Sequence, residues 1–251
     1  MLAKVYVITG SHACRTATLM LEHKGIPYRR IELPTGLHPL LVRACGFAGH
    51  RKPIRTVDGA THLRLALLDR LGTVPALRLG TERIQTNHEI ARFLERLQPE
   101  PALFPHEPKR RQAVEDAERW GDQTLQMAAR RMALATDLDA LNMRGADGRL
   151  GPLLTKSKWM RAPLSRGAGQ SFRANSHNED ALLRAIPPML DKVDAWIGEG
   201  VLCADELNVA DFTIAPSLAL LAYRRELNEQ LSARPAGTLL DRLLPDPTAA
   251  G

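Results

Sequence analysis

The sequence has 251 residues, of which 44% are hydrophobic and 25% charged, as expected for a folded protein with enough chain for one large domain or two modest ones. Aromatic residues make up only 4%, which argues against stacking platforms for single-stranded nucleic acid, and the basic residues behind the net charge of +6 are scattered along the chain. The composition therefore disfavours nucleic acid as a partner and favours an anionic small molecule.

The three cysteines, Cys14, Cys45 and Cys203, are odd in number and widely spaced, which argues against a disulfide framework or a zinc site. We predict no bound metal and a reducing, cytoplasmic environment. The sequence opens directly into a strand-like run, so no secretory signal peptide is expected. Its longest uncharged apolar stretch, 212–223, is too short to span a bilayer, and we expect no membrane association.

The N-terminal part of the chain alternates short β-branched runs with helical patterns, which predicts a β-α-β unit followed by a hairpin. The predicted elements are, in order, a strand at 5–8, a helix at 11–24, a strand at 28–33, a helix at 38–45, a helix at about 62–71, hairpin strands at 74–77 and 83–85, and a helix beginning near Thr86 with a capping box. Strand–helix–strand order implies a parallel pair of strands with a right-handed crossover.

A proline-rich segment at 99–107 predicts a linker between two domains, 1–98 and 108–251, the first with an insertion at about 47–72. Beyond the linker only helical patterns are found. They predict a long helix at 109–134, a helix at 180–198 interrupted at Pro187 and Pro188, and a strongly apolar core helix at 209–224.

Three features of the sequence resemble the glutathione transferase superfamily. They are the Val74-Pro75 step that opens the hairpin, the Asn208-Val209-Ala210-Asp211 box before the apolar helix, and the order of the predicted elements. The chain is therefore identified as a divergent member of that superfamily. The resemblance implies an α/β thioredoxin-like domain followed by an all-helical bundle, and a homodimer.

The candidate catalytic residues lie at the turn Ser11-His12-Ala13-Cys14, where the first strand passes into the first helix. A helix N-terminus has unpaired N–H groups and a partial positive charge that stabilise a thiolate. The resemblance implies that the Ser11 hydroxyl donates a hydrogen bond to the thiolate of a bound cofactor. Ser11 as a helix cap alone is one alternative; another makes Cys14 the nucleophile with His12 as its base, although we favour a buried, unreactive Cys14.

The resemblance also implies the cofactor site. Val74, before a proline expected to be cis, would offer its backbone to the cysteinyl part of a thiol. Thr86 and Asn87 occupy the positions where the superfamily has an acidic or amide residue followed by serine to bind a γ-glutamyl group. No carboxylate stands there to meet the glutamyl ammonium, so the residues do not single out glutathione as the cofactor. The alternatives are glutathione, another low-molecular-weight thiol such as mycothiol or bacillithiol, or no thiol at all.

These expectations together predict an enzyme of detoxification that transfers or conjugates a small thiol to an electrophilic small molecule. A non-catalytic binding module, and a thiol-dependent isomerase or lyase of a specialised pathway, remain alternatives. The insertion includes a basic stretch, 50–55, which fits a solvated surface segment better than an anion-binding lid.

Overall fold

The computed structural model describes residues 2–8, 10–34, 36–51, 63–135, 174 and 176–245. The chain divides into two compact units, Met1–Phe104 and Pro105–Gly251, and the segment for which a linker is predicted, 99–107, lies on both sides of this boundary. The middle of the predicted insertion, with Lys52 and Arg55 of its basic stretch, lies outside the described residues. Within the described ranges, no helix is both long enough and apolar enough to cross a membrane.

The first unit is a four-stranded sheet with helices. Its elements are β1 (Ala3–Val7), α1 (His12–His23), β2 (Tyr28–Glu32), α2 (His38–Ala44), α3 (Leu63–Leu71), β3 (Ala76–Leu79), β4 (Glu82–Gln85) and α4 (Asn87–Leu97). The strand order is β2-β1-β3-β4, in which β1 is parallel to β2, and β3 is antiparallel to both β1 and β4. This is the thioredoxin-like arrangement that the resemblance implies.

Apolar side chains of β1 are buried on both faces of the sheet. Val5 and Val7 are buried on one face, while Tyr6 on the other packs edge-on against Phe47, with ring centroids 5.3 Å apart. A strand covered on both sides lacks the alternation of apolar and polar residues. The apolar run at 5–8 therefore predicts a strand, but it does not indicate that the strand begins at Ala3.

The second unit begins with a helix that the sequence analysis predicted as one continuous element. In the structure, α5 (Pro108–Trp120) passes into one π-helical turn at Gly121–Leu125 before α6 (Gln126–Ala135). At Gly121 a Cβ atom would lie 2.9 Å from the Ile214 side chain, so the turn begins at a point where the backbone lies close to a neighbouring helix. A π turn of this kind does not disturb the apolar periodicity enough to be read from the sequence.

The predicted interruption at Pro187 and Pro188 is wrong, because α7 (Ser176–Gly198) runs through both prolines. A proline removes one N–H donor and crowds the preceding turn, but its fixed φ is compatible with a helix. Ile186 and Leu190, on either side of the pair, are fully buried. Packing of these side chains outweighs the backbone hydrogen bonds that the prolines remove.

The unit ends with α8 (Val209–Leu221), α9 (Arg225–Ser232) and α10 (Pro235–Leu243). All thirteen residues of α8 are buried, as predicted for a core helix, although it ends before residue 224. Its capping box is present: Ala210 N–H donates to Asn208 Oδ1 at 2.9 Å, and Asn208 N–H donates to Asp211 Oδ2 at 2.8 Å. The motif supports folding and takes no part in chemistry.

Candidate functional site

The N-termini of α1 and α4 meet at one edge of the sheet. Asn87 Nδ2 donates to Ala13 O at 3.0 Å, and Thr86 N–H donates to Pro75 O at 3.3 Å. These contacts follow from the sheet, because Ala76 is paired with both Tyr6 and Gln85 and so lies between the ends of β1 and β4. The structure therefore brings together the predicted site segments, which are Ser11–Cys14, Val74–Pro75 and Thr86–Asn87.

Ser11 is the N-cap of α1, and its Oγ accepts a hydrogen bond from Cys14 N–H at 3.3 Å. A serine hydroxyl has two acceptor lone pairs and one donor proton. The cap uses an acceptor position, and no described residue accepts the Ser11 proton. Capping and donation to a bound anion are therefore compatible roles for the same side chain.

The Val74–Pro75 peptide bond is cis. Val74 is half-buried, and the carbonyl of Pro75 is occupied by Thr86 N–H. Gln85, which the sequence analysis did not single out, donates from Nε2 to Thr73 O at 3.0 Å and so fixes the segment before Val74. Its only signal in the sequence is that it is a polar residue at the end of a predicted strand.

Thr86 has a backbone conformation that β-branched residues rarely adopt, with φ +72° and ψ +147°. Such a conformation is essentially reserved for glycine and costs about 1–3 kcal/mol. Hydrogen bonds hold it from both sides, since Thr86 N–H donates to Pro75 and Thr86 Oγ1 accepts from Glu89 N–H at 3.3 Å. Backbone strain of this kind concentrates at functional sites.

Asn87, the first residue of α4, is only 6% exposed. Its Nδ2 is used in the bond to Ala13, but its Oδ1 is buried and receives no hydrogen bond from any described residue. Leaving a buried acceptor unpaired costs about 1–3 kcal/mol. The α4 N-terminus thus combines a strained cap with an unused acceptor, which is an arrangement suited to a ligand that carries a hydrogen-bond donor.

This chain is similar to known proteins in its fold. No protein-family profile matches this sequence, and no curated protein sequence matches it. Glutathione S-transferase-I bound with lactoylglutathione is 15% identical to this chain in sequence, with a TM-score of 0.61. The alignment covers 100% of this chain and 97% of that protein. A glutathione S-transferase of Ceriporiopsis subvermispora in complex with glutathione is 16% identical to this chain, with a TM-score of 0.60. That alignment covers 97% of this chain and 96% of the other protein. This chain has the glutathione transferase fold.

A third structure with this fold, a GST-like protein from Pseudomonas syringae, is 18% identical with a TM-score of 0.60. The alignment covers 97% of this chain but 66% of that protein, so the present chain spans slightly less than two thirds of its length. The glutathione transferase fold predicted from the sequence is confirmed by these structures.

Within the glutathione transferase fold, the alternative nucleophile is poorly placed. Cys14 lies inside α1 and is 3% exposed, whereas Ser11 and His12 at the start of the helix are half-buried. A thiol packed among apolar side chains behaves as a small hydrophobic residue. Ser11 is therefore the more accessible of the two side chains.

No cluster of three or more histidine, cysteine, aspartate or glutamate side chains that could hold a metal ion is found in the part of the chain that the structure describes.

We expect Thr86→Gly to be more stable than Thr86→Ala by about 1 kcal/mol, the reverse of the usual order. Both variants lose the hydroxyl that caps α4, but only glycine adopts a φ of +72° without strain. Urea unfolding of the two variants measures the difference. Arg96 is an exposed position with helical backbone in α4. There the alanine variant should have a free energy of unfolding about 1 kcal/mol higher than the glycine variant. The same order at both positions would contradict the strain at Thr86.

Proposed function

We propose that this chain is a glutathione transferase-like enzyme that transfers a low-molecular-weight thiol to an electrophilic small molecule. The observation that carries the proposal is the meeting of two helix N-termini at Ser11 and Asn87, connected by the Asn87–Ala13 hydrogen bond. Each terminus offers unpaired N–H groups and a partial positive charge. Two neighbouring anion sites suit a ligand that has both a thiolate and a carboxylate.

Each site residue has a separate role in the proposal. The Ser11 hydroxyl keeps its proton and donates a hydrogen bond to the sulfur, which stabilises the thiolate, the nucleophilic form. The backbone of Val74 lies beside the cysteinyl part of the cofactor. The α4 N-terminus takes the carboxylate, and Asn87 Oδ1 accepts a hydrogen bond from the neighbouring ammonium group.

The acceptor at residue 87 bears on which thiol the site would prefer. An amide oxygen accepts a hydrogen bond from an ammonium but does not balance its charge, so the site has less preference for a γ-glutamyl group than a carboxylate would give. Glutathione is supported by two structures of the same fold, one in complex with glutathione and one bound with lactoylglutathione. Mycothiol and bacillithiol are the other candidates. A homodimer, a cytoplasmic location and a role in detoxification complete the proposal.

The test begins with the unmodified protein. Glutathione, mycothiol and bacillithiol are screened by thermal shift, and the thiol that binds is then assayed for conjugation to a chlorinated nitroaromatic. We expect one thiol to raise the melting temperature and to support turnover. A protein that shows neither effect with any of the three would overturn the proposal, and binding without turnover would favour the non-catalytic module.

Substitution of Ser11 tests the proposed catalytic role. Ser11→Ala should lower kcat/KM by about 10- to 100-fold, because a hydrogen bond to a charged group contributes about 1.5–3 kcal/mol. Ser11→Thr, which keeps both hydroxyl and cap, should remain active. Ser11→Asp keeps the cap but has no proton to donate near neutral pH, and should be as inactive as alanine. An active Ser11→Asp variant would reduce Ser11 to a helix cap.

A further inference from the structure

Four basic residues form a single row across the sheet of the first unit. Lys4 of β1 is paired with Arg29 of β2 and with Arg78 of β3, and Arg78 is paired with Arg83 of β4. Residues directly opposite one another on neighbouring strands share a face of the sheet. Because strands lie about 4.8 Å apart, the row extends over about 14 Å. We call these four residues the basic row.

No carboxylate balances the basic row among the residues that the structure describes. Lys4 and Arg29 are exposed and make no side-chain hydrogen bond or ion pair with a described residue. Arg78 Nε donates to Gly80 O at 3.2 Å, and Arg83 donates to Cys45 O and Thr81 O at 3.4 and 3.2 Å, all of them backbone carbonyls. Like charges placed directly opposite destabilise a sheet, and no described carboxylate offsets this cost.

The rest of that face of the sheet is also free of acidic residues in the described strands. Positions two residues along each strand from the basic row share its face, and none of them is Asp or Glu; they are Leu2, Tyr6, Pro27, Ile31, Ala76, Gly80, Thr81 and Gln85. The two strand carboxylates, Glu32 and Glu82, alternate to the opposite face. Helix α2, whose following residue Cys45 contacts Arg83, contains no acidic residue.

We propose that the basic row binds the phosphate backbone of a single nucleic-acid strand without reading its bases. Three of the four residues are arginines, whose planar guanidinium groups match phosphate oxygens. A line of charges corresponds to a linear polyanion better than to the two-dimensional surface of a membrane. Tyr6, the aromatic side chain of that face, is buried, so base stacking would contribute little and sequence preference should be weak.

This inference goes beyond the proposed transferase function and revises the expectation drawn from composition. In the sequence, the members of the basic row stand far apart and look like part of a scattered excess of positive charge. The strand register places them side by side. The row lies on the part of β1 that is distant from the Ser11 turn, since Lys4 is near the start of that strand. A protein that failed every thiol assay could still bind nucleic acid through this row.

The test measures binding of a fluorescently labelled single-stranded DNA of mixed sequence by anisotropy over a series of salt concentrations. Four neutralised phosphates should give a slope of about −3 in log K against log salt concentration, because each contributes about −0.7 for a single strand. The double variant Lys4→Gln/Arg29→Gln should reduce the magnitude of the slope by about 1.4 and weaken binding about 25-fold at roughly 0.1 M salt.

Arg96→Gln/Lys109→Gln is the matched control, since it removes one arginine and one lysine that are exposed elsewhere and form no polar side-chain contact with a described residue. For this control variant, the slope of log K against log salt concentration should equal that of the unmodified protein. The melting temperature of the basic-row variant should not fall, because repulsion is removed. No DNA binding by the unmodified protein, equal loss in both double variants, or binding only to phosphatidylglycerol vesicles would each overturn the proposal.

Discussion

Replacing Lys24 with methionine is expected to lower the free energy of unfolding by about 3–5 kcal/mol, the usual cost of removing one partner from a buried ion pair. The Lys24 side chain is fully buried, and its Nζ donates to Glu95 Oε2 at 2.6 Å, Gln98 O at 2.7 Å and Pro99 O at 2.9 Å. All three ammonium protons are therefore used. Methionine matches the length of the side chain but leaves the carboxylate and both carbonyls without this donor.

A double-mutant cycle with Glu95→Gln separates the ion pair from general packing. Glu95 also accepts hydrogen bonds from Leu103 N–H and Phe104 N–H, which the amide oxygen retains in part. The double variant should lose less stability than the sum of the two single variants, by at least about 1 kcal/mol, because no uncompensated carboxylate remains. Lys109→Met, at an exposed position, should change stability by less than about 0.5 kcal/mol. Additive losses would contradict the coupling.

The same ion pair connects the two helices that carry the candidate site. α1 and α4 meet at their N-termini through Ala13 and Asn87, and again beyond their C-termini, where Gln98 Nε2 donates to Lys24 O at 2.6 Å. The helices therefore run side by side in the same direction. Under the proposed function, a change at Lys24 should weaken thiol binding as well as stability, because it releases the end of α1 that is remote from Ser11.

Replacing Asp211 with alanine is expected to lower the free energy of unfolding by about 3 kcal/mol near neutral pH. Asp211 is fully buried, and its carboxylate accepts Cys203 N–H at 2.7 Å and Asn208 N–H at 2.8 Å. Alanine leaves both donors without an acceptor inside the second unit. Asp205→Ala, an exposed neighbour in sequence, should cost less than about 0.5 kcal/mol in the same chemical unfolding experiment.

The Asp211 carboxyl also predicts a pH dependence. Burial raises its pKa from 3.8 to about 6, against the opposing effects of the Cys203 and Asn208 N–H groups and of the Arg242 charge. Because the folded state holds this proton more tightly than the unfolded state, the contribution of Asp211 to stability falls as pH rises from about 4 to 6. The stability gap between the unmodified protein and Asp211→Ala should therefore widen on acidification by up to about 3 kcal/mol. A gap that narrows on acidification would show that the hydrogen bonds outweigh burial.

Most of the elements could be predicted from the sequence because their signals are local. Gly25, with φ +63°, ends α1 where predicted, and Asn208 caps α8 through the expected hydrogen bonds. The errors arise where packing overrides a local preference. Pro187 and Pro188 are retained inside α7, and the turn at Gly121 depends on a close approach to Ile214 from another helix.

The candidate site was predictable as a set of residues but not as a geometry. Ser11 and Thr86 could be recognised as caps, because a polar side chain precedes each helical pattern. The positive φ of Thr86 could not, since a β-branched residue gives no sign of a left-handed backbone. The unpaired Oδ1 of Asn87 depends on which groups surround it in three dimensions. The role of Gln85 depends on contact with Thr73 across the hairpin.

The partners of Lys24 also determine where the first unit can be cut. Two of its three acceptors, Gln98 O and Pro99 O, come from residues beyond α4, and Glu95 is in turn bound by Leu103 N–H and Phe104 N–H. A gene fragment ending at Leu97 would leave the lysine open to solvent and its ammonium group short of acceptors. A fragment extended through Phe104 keeps the whole network, so any fragment of the thioredoxin-like unit should include this extension.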